Sequence, residues 1–107
     1  MWPFKERDFQ LVLEFLGDSP EEFTRVVALQ EDLERVLTSG EVDGNDVGQG
    51  VTNIFIITKH PARCFSEALV HVERHDLRPS AAGFRDEEEE DYTRLFPKDA
   101  REPFTLK

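Results

Sequence analysis

The stretch that most constrains this chain runs from Val42 to Asn53 and leads into the apolar Ile54-Phe55-Ile56-Ile57. Four short polar residues (Asp43, Asn45, Asp46, Thr52) and three glycines (Gly44, Gly48, Gly50) fall within ten positions. Glycine turns a backbone where side chains forbid it, and Asp and Asn stabilise such turns with local bonds. The segment therefore builds either a tight turn or a small polar site on the rim of a sheet. In both cases the β-branched run from Asn53 to Thr58 that follows reads as a central strand.

A second central strand is written over residues 8–16, where Phe9, Leu11, Leu13 and Phe15 share one face and Val12 and Leu16 the other. Ser19-Pro20-Glu21-Glu22 then carries helix-start signals: Ser19 as N-cap, Pro20 in the first helical position, Glu22 completing a capping box. Phe23, Val26, Val27, Leu33 and Leu37 follow at helical spacing, widened by Leu29 and Val36, and Ser39-Gly40 closes the helix near residue 38. Glu21–Arg25 and Glu31–Arg35 are spaced as ion pairs on its wet face. A short strand is expected around 41–43. Pro61 opens a second helix, with Phe65, Ala68, Leu69 and Val72 on one face. Residues 80–86 read as an edge strand weakened by Gly83, and residues 92–96 as a last short strand.

Strand, helix, strand, strand, helix, strand, with the two most apolar strands first and third, predicts an α+β fold. The specific expectation is a ferredoxin-like split βαβ sandwich, an antiparallel sheet with two helices on one face. The length of 107 residues gives a single domain over 1–107, globular from about 6 to 97, with 98–107 as a loosely held tail. A chain of this size buries roughly 60–70% of its unfolded surface, enough for one core without staples.

Charge narrows the function classes. The formal net charge is −10, the wrong sign for a protein that neutralises nucleic-acid phosphates or binds anionic membranes. No apolar run approaches the roughly 18 residues that span a bilayer. The opening Met1-Trp2-Pro3-Phe4-Lys5-Glu6-Arg7-Asp8 lacks the apolar core of a signal peptide. A cytoplasmic protein is the expectation. The single cysteine, Cys64, rules out an internal disulfide and a multi-cysteine zinc site.

The glycine-rich segment fails the known ligand loops. It lacks the P-loop spacing, and no lysine lies between Lys5 and Lys59. Gly48-x-Gly50 precedes a strand rather than a helix, so it is no dinucleotide fingerprint. Asp43-x-Asn45 imitates the opening of a calcium loop, but Ile54 stands where a bidentate Glu is required. What remains is that Asp43, Asp46 and Asn53 converge at a strand end to bind a cation or a partner's basic residue, or else only stabilise a hairpin. His71 and His75, four apart on the second helix, have the spacing of a shared metal but no third ligand, since Cys64 lies two turns away. Cys64 with His60 or His71 as base is a nucleophile candidate without local activation. The expectation is no catalysis, no cofactor and no metal.

Asp86-Glu87-Glu88-Glu89-Glu90-Asp91 places six like charges in a row. Such a run is either a solvated segment or an electrostatic docking surface for a basic partner. Tyr92, Leu95 and Phe96 immediately after it offer apolar anchors for such an interface, or complete the last strand.

The block Asp43-Gly44-x-Asp46-x-Gly48-x-Gly50-x-x-Asn53-Ile54-Phe55-Ile56, with the later Asp91-Tyr92-Thr93-x-Leu95-Phe96-Pro97, resembles a group of small uncharacterised bacterial proteins. That resemblance covers roughly residues 40–97 and implies no activity. In format the chain is similar to immunity proteins of bacterial toxin systems, which present acidic surfaces to basic toxins. The leading expectation is a small acidic binding protein engaging a basic protein through Glu87, Glu88, Glu89, Glu90 and Tyr92. The alternative is a metal or small-ligand site at 43–53 built on Asp43, Asp46 and Asn53. A homodimer paired through sheet edges is a third.

Overall fold

The computed structural model describes residues 7–107, so the reading of the opening segment falls, for positions 1–6, outside the described residues. Its elements are β1 (Phe9–Leu16), α1 (Pro20–Val36), β2 (Glu41–Gly48), β3 (Val51–Thr58), α2 (Pro61–Arg74), β4 (Ala81–Asp86) and β5 (Thr93–Phe96). The strands form one sheet in the order β2-β3-β1-β4-β5, and every neighbouring pair is antiparallel. The fold is α+β with two helices and a five-stranded antiparallel sheet, one strand more than a plain split βαβ sheet.

The alternation in β1 sets two unlike faces. Leu11 pairs with Ile56 and Leu13 with Ile54, and these side chains meet Val26, Leu29 and Leu33 of α1 and Cys64, Phe65, Ala68 and Val72 of α2 in one buried core. Both helices thus cover the same face. Each fully buried Leu or Ile contributes roughly 1.5–3 kcal/mol, so this layer carries most of the stability. The other face holds Gln10, Val12 and Glu14 of β1 opposite Ile57, Phe55 and Asn53 of β3.

The N-terminus of α1 is closed as its sequence predicts. Ser19 Oγ accepts the Glu22 N–H at 3.2 Å, and Glu22 Oε1 accepts the Ser19 N–H at 3.2 Å. The expected wet-face pairs are replaced. Arg35 reaches Asp32 at 2.6 Å, and Arg25 donates to the Asp76 carbonyl at 3.2 Å across to the end of α2. Beyond α1, Glu67 of α2 accepts the N–H and hydroxyl of both Thr38 and Ser39 at 2.5–3.2 Å. Burial pushes the Glu67 carboxyl up, but these donors outweigh it and hold the pKa at about 2.

Two expectations are corrected. The strand placed at 41–43 runs on to Gly48, because the glycine-rich segment forms most of β2 and the turn of a β2–β3 hairpin. Its two-residue turn, Gln49 (φ 53°) and Gly50 (φ 82°), has the left-handed pair that suits the twist of a hairpin, and a bulge between Val42 and Gly44 absorbs Asp43. The strand at 80–86 is not an edge: β4 lies between β1 and β5.

Residues 98–107 carry no helix or strand, yet Phe104 is only 3% exposed and packs on the second sheet face with Val12 and Ala81, flanked by Phe55 and Tyr92. Arg94 of β5 donates to the carbonyls of Glu102 (3.0 Å) and Pro103 (3.4 Å), and Asn53 of β3 donates to that of Lys107 (3.3 Å). The segment crosses from β5 over β4 and β1 to β3. Three strand spacings of about 4.8 Å are matched by five nearly extended residues at about 3.3 Å each. Gly83 is the reason it fits: a Cβ there would stand 2.6 Å from Phe104 Cγ. A residue that weakens a strand locally is here the floor of a packing site.

Candidate functional site

The acidic run folds into the β4–β5 connection. Its backbone is tied down at several points. Glu87 N–H donates to the Asp8 carbonyl (3.1 Å), Glu89 N–H to the Asp86 carbonyl (2.9 Å) and Glu88 N–H to Asp86 Oδ1 (2.9 Å). Arg85 Nη1 donates to the carbonyls of Glu89 (2.6 Å) and Glu87 (3.5 Å). The guanidinium is thus engaged by main-chain oxygens rather than by the neighbouring carboxylates. Asp86 is bridged to Arg7 at 3.0 Å, while Glu87, Glu88, Glu89, Glu90 and Asp91 are exposed. The result is a fixed turn whose exposed carboxylates at 87–91 have no cationic side-chain partner among the described residues.

Tyr92 belongs to the support of this turn. Its hydroxyl donates to Gln10 Oε1 at 2.6 Å and accepts from Arg85 Nε at 3.3 Å, and its ring lies 5.2 Å from that of Phe104. Leu95 and Phe96 pack against the helix-side core. With Ala62, Phe65, Leu69 and Pro97 they line a groove of about 570 Å³ between α2 and β5.

The candidate residues of the glycine-rich segment separate. Asp46 and Asn53 are cross-strand partners, whereas Asp43 is exposed at the bulge and has no partner on β3. Asn53 pairs in turn with Glu14 on β1. Asp46, Asn53 and Glu14 therefore form a row across three strands on the face opposite the helices. Glu14 went unnoticed in the sequence, although an acidic residue in a strand apolar on both faces is itself a signal. It is 5% exposed, and its Oε1 accepts the Ser80 hydroxyl at 2.8 Å.

The histidines do not converge on a metal. His75 Nε2 lies 3.2 Å from Asp32 Oδ2 on α1, and this contact holds the Asp32 carboxyl below its ordinary value. His71 Nδ1 is buried without a partner. Among the described residues no three His, Cys, Asp or Glu side chains stand close enough to hold a metal ion. Cys64 is fully buried in the helix-side core; burial pushes its thiol up, only partly offset by bonding to Ser39 and Thr58, the opposite of nucleophile activation. Among the described residues no helix is long and apolar enough to cross a membrane. Set against known protein families, curated proteins and solved structures, the chain finds no match in any of the three comparisons.

Proposed function

We propose that this protein is a small acidic binding protein without catalysis that engages a basic protein partner, in the manner of immunity proteins. The observation that carries this reading is the β4–β5 turn, where Glu87–Glu90 project from a backbone held by Arg85 and Asp86. A concentrated field of one sign raises encounter rates, and a turn already ordered spares the partner the cost of ordering it. The net charge of −10 adds the same sign at long range. Leu95 and Phe96 in the α2–β5 groove supply apolar contact surface on the strand that follows the turn. The two interleaved βαβ units read as a ferredoxin-like sandwich extended by β5, a scaffold that holds turn and groove on rigid elements.

The experiment immobilises the full chain, incubates it with lysate of its source cell, and compares wild type with a Glu87→Gln, Glu88→Gln, Glu89→Gln, Glu90→Gln variant. The proposal expects a basic protein retained by wild type at low salt and lost from the variant. Equal retention by both proteins would remove the turn from the mechanism.

A further inference from the structure

We infer that the hollow where the end of β1, the first turns of α1 and the α2–β4 connection meet binds a small ionised carboxylic acid. Arg25 and Arg78 would hold its carboxylate, and an apolar floor its tail. The hollow measures about 260 Å³. Its floor includes the buried Phe15, Val26 and Pro79, and Leu16 lines it while 71% exposed. Both guanidinium-bearing side chains line this same space. Arg25 Nη2 donates to the Asp76 carbonyl at 3.2 Å, which carries it to the connection that bears Arg78 two residues on. Arg78 makes no hydrogen bond or ion pair among the described residues, and Arg25 makes none with a carboxylate. In a chain with 23 acidic residues to 13 basic, these two are left to take a carboxylate from outside.

The wall that carries Arg78 is fixed at both ends. Leu77 N–H donates to the Val72 carbonyl at 3.1 Å, and Ser80 N–H to the Glu14 carbonyl at 2.8 Å. A ligand therefore meets a wall already in place and spends little on ordering it. Glu22 is the acidic side chain of the lining, but its carboxylate serves the helix cap. Its Oε1 accepts the Ser19 N–H at 3.2 Å, and the group lies over Gly17, where any Cβ would collide with it. Two guanidiniums against one committed carboxylate leave the hollow net positive. The guanidinium fork matches a carboxylate in geometry as well as charge. Pockets for drug-sized ligands run to about 300–1,000 Å³, so this smaller hollow takes an acid of a few carbons rather than a long acyl chain. An inorganic phosphate would leave the apolar floor unused. The hollow is separate from the acidic turn: Ser80 precedes β4, and the turn follows Asp86 at the far end of that strand.

The test is an NMR titration of the full chain with sodium hexanoate at fixed ionic strength, following the Nε–H signals of Arg25 and Arg78 and the Ser80 amide. Hexan-1-ol keeps the tail without the charge, and inorganic phosphate keeps the charge without the tail. Saturable shifts at all three signals with hexanoate, and binding about tenfold weaker for either control, are expected. Arg78→Gln should weaken hexanoate about tenfold. Arg78 bonds to nothing else among the described residues, so that variant reads the site without disturbing the fold. Arg25→Lys, which keeps the charge and loses the fork, should also bind more weakly. Arg63→Gln removes the same charge from the first turn of α2, outside the hollow, and should bind as wild type does. Unchanged affinity in Arg78→Gln would overturn the inference, as would shifts that never saturate or hexanol binding as tightly as hexanoate. An equal loss in Arg63→Gln would also overturn it, since net charge rather than a site would then be responsible. The Glu87–Glu90 neutralised variant should bind hexanoate no more weakly than wild type, whatever becomes of the protein partner.

Discussion

Gly83 and Phe104 provide the sharpest test of how the C-terminal segment is held. Phe104 is 3% exposed, and removing a buried Phe ring costs about 3–5 kcal/mol, at the lower end here because the segment can settle onto the sheet. Gly83→Ala should cost about 1–3 kcal/mol by overpacking, since its new Cβ would lie 2.6 Å and 2.7 Å from Phe104 Cγ and Cδ1. The backbone at Gly83 is not in the left-handed region, so the ring is the obstacle rather than the chain conformation. In a Phe104→Ala background only the 3.1 Å approach to the Cβ of residue 104 remains, which a shift of the segment by a few tenths of an ångström relieves, so the same substitution should become about neutral. Urea denaturation of wild type, both single variants and the double variant gives the coupling energy, expected at about 2 kcal/mol. Additivity within about 0.5 kcal/mol would refute the packing, because independent sites add to that precision.

Other predictions follow from single residues. Glu67→Ala should destabilise by about 1–2 kcal/mol, since the N–H groups of Thr38 and Ser39 lose their acceptor. The folded Glu67 pKa of about 2 lies below the ordinary value of 4.5, so its contribution is present above about pH 4.5 and is lost as pH falls toward 2; acid titration of wild type and Glu67→Gln should converge below that window. Arg85→Met should speed amide exchange across Glu87–Asp91 by releasing the Glu87 and Glu89 carbonyls, while exchange in β1 and β3 stays slow. Cys64 should resist a thiol reagent in the native protein and react fully in denaturant, and rapid native labelling would contradict its place in the core.

What was readable in the sequence was whatever carried a period or a cap. β1 and β3 announced themselves by alternation and β-branching, and the Ser19–Glu22 capping box placed the start of α1. β2 hid because an exposed hairpin edge with glycines and short polar residues has the composition of a loop; only its pairing with β3 makes it a strand. The strap hid for a different reason. Phe104 is the one buried side chain of 98–107, with Leu106 left exposed, and one anchor has no periodicity. Its complement, Gly83, reads locally as a weak point in a strand. The candidate site followed the same division. Asp46 and Asn53 were visible in the block spanning the β2–β3 turn, but the register that adds Glu14 and strands Asp43 on a bulge is a long-range property. Tyr92 sits next to the acidic run in sequence, while the bond to Gln10, 82 positions away, draws it into the support of the turn.

The claim that the acidic turn recruits a basic partner is tested most directly by the association rate of the retained protein, measured by stopped flow across ionic strength. Wild type should associate fast at low salt and slow steeply as salt rises, and the variant neutralised at Glu87–Glu90 should associate about tenfold more slowly with a flatter salt dependence. The same rate and the same slope in both proteins would contradict the account.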